Sequence, residues 1–467
     1  MQDHPYISLV DTHSKGIIAM AFRKKHIIIR IIIISLTIVT IYIAGNLLGE
    51  RDGEEQDTVK NSRKLTVDVK PIQPAELCST DARIDFDKNR EVYGRYLPLS
   101  ASSPDYVVYE YSIRNQVYYY RKKEKNNKHK KHPRYFFAAN LHNNEEILPQ
   151  FMQELLRVFE FLGFENVYMS IYENGSTDKT KEMLESFSAR LEEYKVQHRL
   201  NMENSKRPEN SHRIEYLANV RNKALEPYYE FSERKRQRRM FSGDRSMEFD
   251  KIIFINDIMF CRNDILELIL QSNNNQADIT CPMDLDYYDE TDSSGNKIPI
   301  KTFRDTWVAR DIKGDAFRKN IKDLTTDSES NKRAEKGLPF QVQCCWNGVV
   351  VLNPKPFDNP FDLRFRRSVL NTTECAASEC SLFCNDYWRL GFDRVMVVPT
   401  VQVPYNTREF KYLERDYVNK LHVDIDKKIE FVEGPKQVLC HPLVKNNTQN
   451  PDGPIKWGEY LVDYSNL

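Results

Sequence analysis

The 467-residue chain has no net charge: 68 basic side chains stand against 68 acidic ones. That balance excludes a global attraction to polyanions, so a nucleic-acid partner would rest on local basic runs alone. No internal repeat recurs, which excludes solenoid and propeller architectures. The cysteines lack a zinc-ribbon spacing, even where Cys375, Cys380 and Cys384 crowd together, so the nine read as disulfide partners rather than zinc ligands. Nine is odd, leaving at least one thiol free or intermolecular, and the adjacent Cys344 and Cys345 are too close in sequence to bond each other. Long apolar runs are scarce, and the one that stands out, "IIIISLTIVTIYIAGNLL" (Ile31 to Leu48), contains 18 uncharged residues.

Eighteen such residues suffice for a bilayer core. Arg23, Lys24, Lys25 and Arg30 precede the run, and Glu50, Asp52, Glu54, Glu55 and Asp57 follow it. Positive charge stays cytosolic, so the pattern predicts a single-pass type II membrane protein. Its parts would be a cytosolic tail (1–30), an anchor (31–48), a luminal stem (49–132) and a catalytic domain (133–467). A lumen permits disulfides. Asn-x-Thr sequons stand at Asn371 and Asn446. The basic runs "RKKEKNNKHKKHPR" (from Arg121) and "ERKRQRR" (from Glu233) read as a solvated linker and a solvated loop, so no nucleic-acid partner is expected.

From Arg134 onward strand and helix signals alternate. "YFFAANL", "VYMSI", "KIIFIND", "ADITCP" and "NGVVVLN" have strand texture, and helical stretches with apolar stripes lie between several of them. The order predicts an α/β fold, a mostly parallel sheet with helices on both faces. Ligands of such sheets bind beyond the carboxyl ends of the strands. Asn140, Glu173, Asp178 and Asp257 fall on that rim. "ENGSTDKT" after its strand serves either a nucleotide or the capping of a helix.

Other groups carry chemistry by type. Asp257, delivered by "KIIFIND", suits a hard divalent cation that neutralises a diphosphate, or caps a loop. Asp284 and Asp286 are two apart in an extended segment, so both could face one side. Arg221, in "LANVRNKAL", can grip a phosphate or form a surface salt bridge. "FRDTWVARD" joins Asp305 to Trp307, and "QCCWNG" joins Trp346 to Asn347; indole and carboxylate together suit sugar rings. Glu379 and Asp386, seven apart, lie on one helical face.

In their order, "FAANLHNNEEILP", "ENGSTDKT", "LANVRNKAL", "FINDIMFC", "FRDTWVARD", "CCWNGVVVLN" and "SECSLFCNDYWRLG" resemble the fungal capsule-associated α-1,3-mannosyltransferases, glycosyltransferase family sixty-nine. The resemblance spans roughly Arg134 to Leu443. It implies a GT-A-like Rossmann-type fold, GDP-mannose as donor, an α-1,3-mannoside product with configuration retained, Mn²⁺ or another divalent cation, a mannose-containing glycan acceptor and a Golgi address. Carried onto these residues, Asn140, Glu173, Ser176, Asp178, Arg221 and Asn256 would contact the nucleotide. Asp257 would bind the metal, with His441 of "VLCHP" as a second candidate ligand. Asp284, Trp307, Trp346 and Asn347 would contact donor sugar or acceptor, and Asp305, Glu379 and Asp386 would be the catalytic acids. Asn256-Asp257 stands where GT-A enzymes usually carry Asp-x-Asp, so the first carboxylate is missing. A non-catalytic carbohydrate-binding protein on a degenerate GT-A fold, or a transferase for xylose or galactose, are the other readings the sequence leaves open.

Overall fold

The computed structural model describes residues 72–78, 108–112, 117–121, 133–204, 207–209, 211–239, 248–370, 372–413, 427–443 and 459–464. The expected tail and anchor and the sequon asparagines Asn371 and Asn446 lie outside these residues. No helix among the described residues is long and apolar enough to cross a membrane.

A hairpin of β1 (Val108–Ser112) and β2 (Val117–Arg121) precedes the main sheet. That sheet contains β3 (Tyr135–Leu141), β4 (Val167–Asn174), β5 (Gln197–Glu203), β6 (Lys251–Ile255), β7 (Ile279–Thr291), β8 (Lys297–Phe303), β9 (Arg310–Asp311), β10 (Phe340–Cys344), β11 (Val349–Leu352) and β12 (Val395–Val403). Its order is β5-β4-β3-β6-β11-β7-β12-β10-β9, with β8 paired to β7. A second hairpin joins β13 (Val438–Cys440) and β14 (Tyr460–Val462).

Side-chain alternation makes the sheet two-faced. Tyr135, Phe137, Ala139 and Leu141 enter one core, with Val167, Met169 and Ile171 of β4 and Ile253 and Ile255 of β6. Phe136, Ala138, Tyr168, Ile252 and Phe254 enter the other. Helices α1 (Leu148–Leu162), α2 (Thr180–Glu193) and α4 (Arg262–Asn274) cover the first face. Helices α3 (Arg213–Arg239) and α6 (Glu379–Arg389) cover the second. Two shorter helices, α5 (Ser328–Glu335) and α7 (Thr407–Lys411), complete the set. The expected α/β class with helices on both faces is therefore present. Two local expectations change. The run "ERKRQRR" is the end of α3 rather than a loop, and the strand read over "ADITCP" continues to Thr291 because β8 pairs along it.

Strand direction decides where the rim lies. β5, β4, β3 and β6 pair in parallel, so their carboxyl ends open on one edge. β11 then runs antiparallel to both β6 and β7. Leu352 pairs with Ile252 on one side and Ile279 on the other, which places Asp284 of β7 level with Asp257 after β6. The turn into β11 lies between them, and Gly348 there has φ 80°. A side chain at Gly348 would meet Ile258 at 2.6 Å, so the turn tolerates only glycine.

Four disulfides join Cys78–Cys261, Cys281–Cys345, Cys344–Cys384 and Cys375–Cys440, leaving the buried Cys380 free. Cys78 falls in the segment read as stem. Yet residues 72–78 pack on α1: the Ala75 N–H donates to Glu154 at 2.7 Å, and Ile72 joins the first core. Cys78→Ser removes a link across 183 residues. The expected outcome is a loss of about 2–5 kcal/mol of unfolding free energy, read by denaturant titration. No loss would mean that this segment adds nothing to the folded body.

Candidate active site

The loops after β3 and β4 are stitched together by polar side chains. The Asn143 N–H donates to Ser176 Oγ at 2.9 Å, and the Thr177 N–H returns to Asn143 Oδ1 at 2.9 Å. Asp178 accepts from the N–H of Glu145 and of Thr180, both at 3.0 Å. Burial raises its carboxyl, and the hydrogen bonds from Thr180 and Glu145 outweigh that, leaving it below the usual carboxylate value. Glu173 is fully buried, with one oxygen on the Ser176 N–H and the other 3.6 Å from Lys181 Nζ. Asn140 Nδ2 donates to Asn174 Oδ1 at 2.8 Å. The turn "ENGSTDKT" thus spends Glu173, Ser176 and Asp178 on shaping two loops, which leaves backbone and Asn140 as the surfaces open to a ligand. Asn144 ties this scaffold to the next strand end: its N–H donates to Thr180 Oγ1 at 2.7 Å, and its side chain is close enough to Asp257 to oppose the rise in that carboxyl.

Arg221, projecting from α3, is held from several directions. Its Nε donates to Glu379 Oε1 at 2.9 Å and its Nη1 to Asn256 Oδ1 at 3.0 Å. Trp346 lies 4.8 Å beneath the guanidinium, with Phe254 and Phe365 at 5.4 and 5.8 Å. Asn256 also accepts from Trp346 Nε1 at 3.3 Å. An amide at position 256 therefore orients an arginine. Nη2 has no hydrogen-bond partner among the described residues, so one charged donor edge stays available.

Beside it sits Asp257, open to solvent at the end of β6. The surrounding protein nevertheless raises its carboxyl through desolvation, opposed by Arg221 and Arg304. Asp257 is thus reachable by solvent, yet enough protein lies around it to disfavour its charge. Asp284 is fully buried, accepting from Tyr405 Oη at 3.2 Å and from the Asp305 N–H at 3.4 Å. Burial and then the neighbouring Asp305 push its carboxyl up to about 8. Asp305 is raised as well, first by burial, against the Val308 N–H and Arg310. Asp257, Asp284 and Asp305 all act electrostatically on Tyr405, so the three carboxylates converge on that ring.

The sign of the pH effect follows from Asp284. Between the unfolded value, near 4, and about 8 the folded chain binds the extra proton, so this group's contribution to stability falls as pH rises through that window. With EDTA present, Asp284→Asn should flatten the decline in melting temperature from pH 5 to pH 8. The wild-type decline surviving unchanged in the variant would contradict the assignment.

The family described as Cryptococcal mannosyltransferase 1 matches residues 134–386. The α-1,3-mannosyltransferase CMT1 of Cryptococcus neoformans var. neoformans serotype D is 33% identical over 341 residues, 67% of this chain and 69% of that protein. The chain belongs to this family. Among solved structures, GalNAc-T7 with UDP, GalNAc and Mn²⁺ aligns with a TM-score of 0.34 at 10% identity, covering 68% of this chain and 51% of that one. A mannosyltransferase from Pyrobaculum calidifontis with GDP-Man and Mn²⁺ aligns at 0.32 and 11%, covering 58% and 56%. This chain thus spans little more than half of either solved structure.

Membership makes the chain a glycosyltransferase, and the remaining candidates can be placed against the rim. Glu379 belongs to it through Arg221. Asp386, two turns further along α6, does not: Arg366 grips both its oxygens at 2.9 Å, and Glu374 and Arg389 complete that ion cluster. Trp346 is 2% exposed and Asn347 is fully buried, donating to the Pro282 carbonyl at 2.7 Å. Both shape the turn before β11. Trp307 is partly exposed and donates to the His441 carbonyl at 2.9 Å. His441 Nε2 faces Glu459 at 2.7 Å, and desolvation and Arg310 hold its pKa down. Asn144, Arg304 and Tyr405 entered no sequence expectation. The polar run "HNNEE" directly after an apolar strand was the available signal for Asn144, whereas Tyr405 reaches Asp284 across 121 residues.

The rim offers hard oxygen donors, which fit a divalent cation in type. No trio of acidic, histidine or cysteine ligand atoms closes within 4.8 Å there among the described residues; the trio that does, Cys78, Glu154 and Cys261, contains two disulfide-bonded sulfurs. Asp257 and its neighbours form an open shell of the sort that phosphate oxygens complete.

Proposed function

We propose that the chain transfers mannose from GDP-mannose to a mannose-containing glycan, forming an α-1,3 linkage with retention, in a reaction that depends on a divalent cation such as Mn²⁺. The observation that carries this reading is Arg221 on α3, held by Glu379, Asn256 and Trp346 with Nη2 free among the described residues, and close enough to act on the exposed Asp257 after β6. One fixed cation and one hard anion there match a metal-bound diphosphate. Asp257 would hold the ion, with Asp284 or Asp305 nearest to share it, and His441 stands with Glu459 instead. When bound, the ion supplies charge neutralisation to the departing diphosphate. Arg221 donates to the same group, and its geometry is set in advance by Glu379, Asn256 and Trp346, so little reorganisation is needed as charge develops. The partly exposed Asp305, backed by the buried Asp284, lies beside this centre, placed to accept hydrogen bonds from sugar hydroxyls. The donor sugar and the α-1,3 linkage follow the activity named for the Cryptococcus relative.

We place the chain in the Golgi membrane as a type II protein, supported by the 31–48 run with its flanking charges and by four disulfides, which suit an oxidising lumen. A fluorescently tagged chain is expected at the Golgi; nuclear signal would overturn this.

A donor screen across sugar nucleotides, with α-mannobiose as acceptor and linkage analysis of the product, tests the reaction. GDP-mannose should be consumed with Mn²⁺ and yield an α-1,3 product. Turnover with a xylose or galactose donor instead would replace the donor, and sugar binding without release of GDP would replace the enzyme with a binding protein.

A further inference from the structure

We propose that Arg304 is a second clamp for the donor diphosphate, reading phosphate rather than base, and that the Tyr405 ring is the platform that holds it in place. The proposal rests on the reading that the rim takes a nucleoside diphosphate sugar.

Arg304 follows directly on β8, and its N–H donates to the Asp284 carbonyl at 3.1 Å, which fixes where the side chain starts. The guanidinium then stacks over Tyr405 with 4.0 Å to the ring centroid. Tyr405 is pinned in turn, its hydroxyl donating to the buried Asp284 at 3.2 Å. A flat cation on a fixed ring keeps its edge donors free, which suits recognition of phosphate oxygens.

The competing role is an internal ion pair with Asp286. That contact is 3.8 Å long between side chains 42% and 47% exposed. A pair so long and so open contributes at most about 1 kcal/mol, and an incoming diphosphate with higher charge would displace it. The guanidinium also lies close enough to Asp257 and Asp284 to act on both carboxyls. Arg221 acts on Asp257 from α3 and Arg304 acts on it from the end of β8, so two arginines flank this exposed carboxylate. They differ in kind: Arg221 is locked by partners on Nε and Nη1, whereas Arg304 is half-exposed and stacked on one face.

Calorimetric titration of the wild type and of Arg304→Ala with GDP, UDP and guanosine, each with Mn²⁺, tests the clamp. GDP affinity should fall about 10- to 100-fold in Arg304→Ala, as expected for lost charge-assisted hydrogen bonds, with guanosine affinity unchanged. Arg304→Lys should recover part of the loss, because a point charge replaces the fork. The wild type should also lose GDP affinity more steeply with added salt than the alanine variant does. Unchanged GDP affinity in Arg304→Ala overturns the clamp, and so does an equal loss for guanosine and GDP, which would make Arg304 a wall of the base pocket. Binding of UDP but not GDP by the wild type removes the GDP-mannose reading alone, and the same comparison is then scored on UDP. Binding of neither overturns both.

Discussion

Asp257→Ala is expected to lower kcat by about a thousandfold or more while leaving the fold intact, because the electrostatic groups facing a departing diphosphate supply most of the rate. Its carboxylate is exposed, and desolvation already disfavours its charge, so removing it relieves a desolvation cost, partly offset by the lost attraction to Arg221 and Arg304, rather than opening a cavity. Unfolding free energy should stay within about 0.5 kcal/mol of wild type, or rise. Asp257→Asn should fail almost as completely, since an amide keeps the shape and loses the charge. GDP release from GDP-mannose measures the first effect and denaturant unfolding the second. Near-normal turnover in the alanine variant would move the chemistry away from the β6 rim.

Arg221→Ala is expected to do two kinds of damage at once. Glu379 is 2% exposed and its Oε1 accepts from Arg221, so the variant leaves a buried carboxylate without its counter-charge. Breaking such a pair costs about 3–5 kcal/mol. The cation–π contacts with Trp346, Phe254 and Phe365 vanish too. The double variant Arg221→Met/Glu379→Gln separates stability from catalysis. A neutral, volume-matched pair should recover most of the lost stability and none of the activity, because Nη2 has no replacement. Recovery of activity along with stability would make Arg221 a purely structural residue.

The sequence carried the strands well wherever both faces are buried. "YFFAANL", "VYMSI" and "KIIFI" read as strands because each of their apolar residues enters one of two apolar cores. The strand Gln197–Glu203 escaped notice, since it lies on the edge with partly exposed polar residues and lacks the apolar signature. Strand direction was hidden too. "VVVL" looks alike run up or down, yet its antiparallel course brings Asp284 level with Asp257. At the site, residue type pointed to acidic and amide groups but could not show which of them are taken up by neighbouring side chains and N–H groups. Asp178 and Glu173 look open in the string and are taken up by neighbouring N–H groups and Lys181. Helical spacing put Glu379 and Asp386 on one face; two turns of rise give them different neighbours, Arg221 for one and Arg366 for the other. Tyr405 and Arg304 were illegible because their roles arise from a stack and a hydrogen bond between distant segments.

The most direct measurement is an experimental structure of the body bound to GDP and Mn²⁺. The account predicts the metal on Asp257, with the diphosphate within hydrogen-bonding distance of Arg221 Nη2 and the base lying toward the Asn140 end of the rim. A nucleotide seated elsewhere, with Asp257 and Arg221 both free of it, would contradict the account.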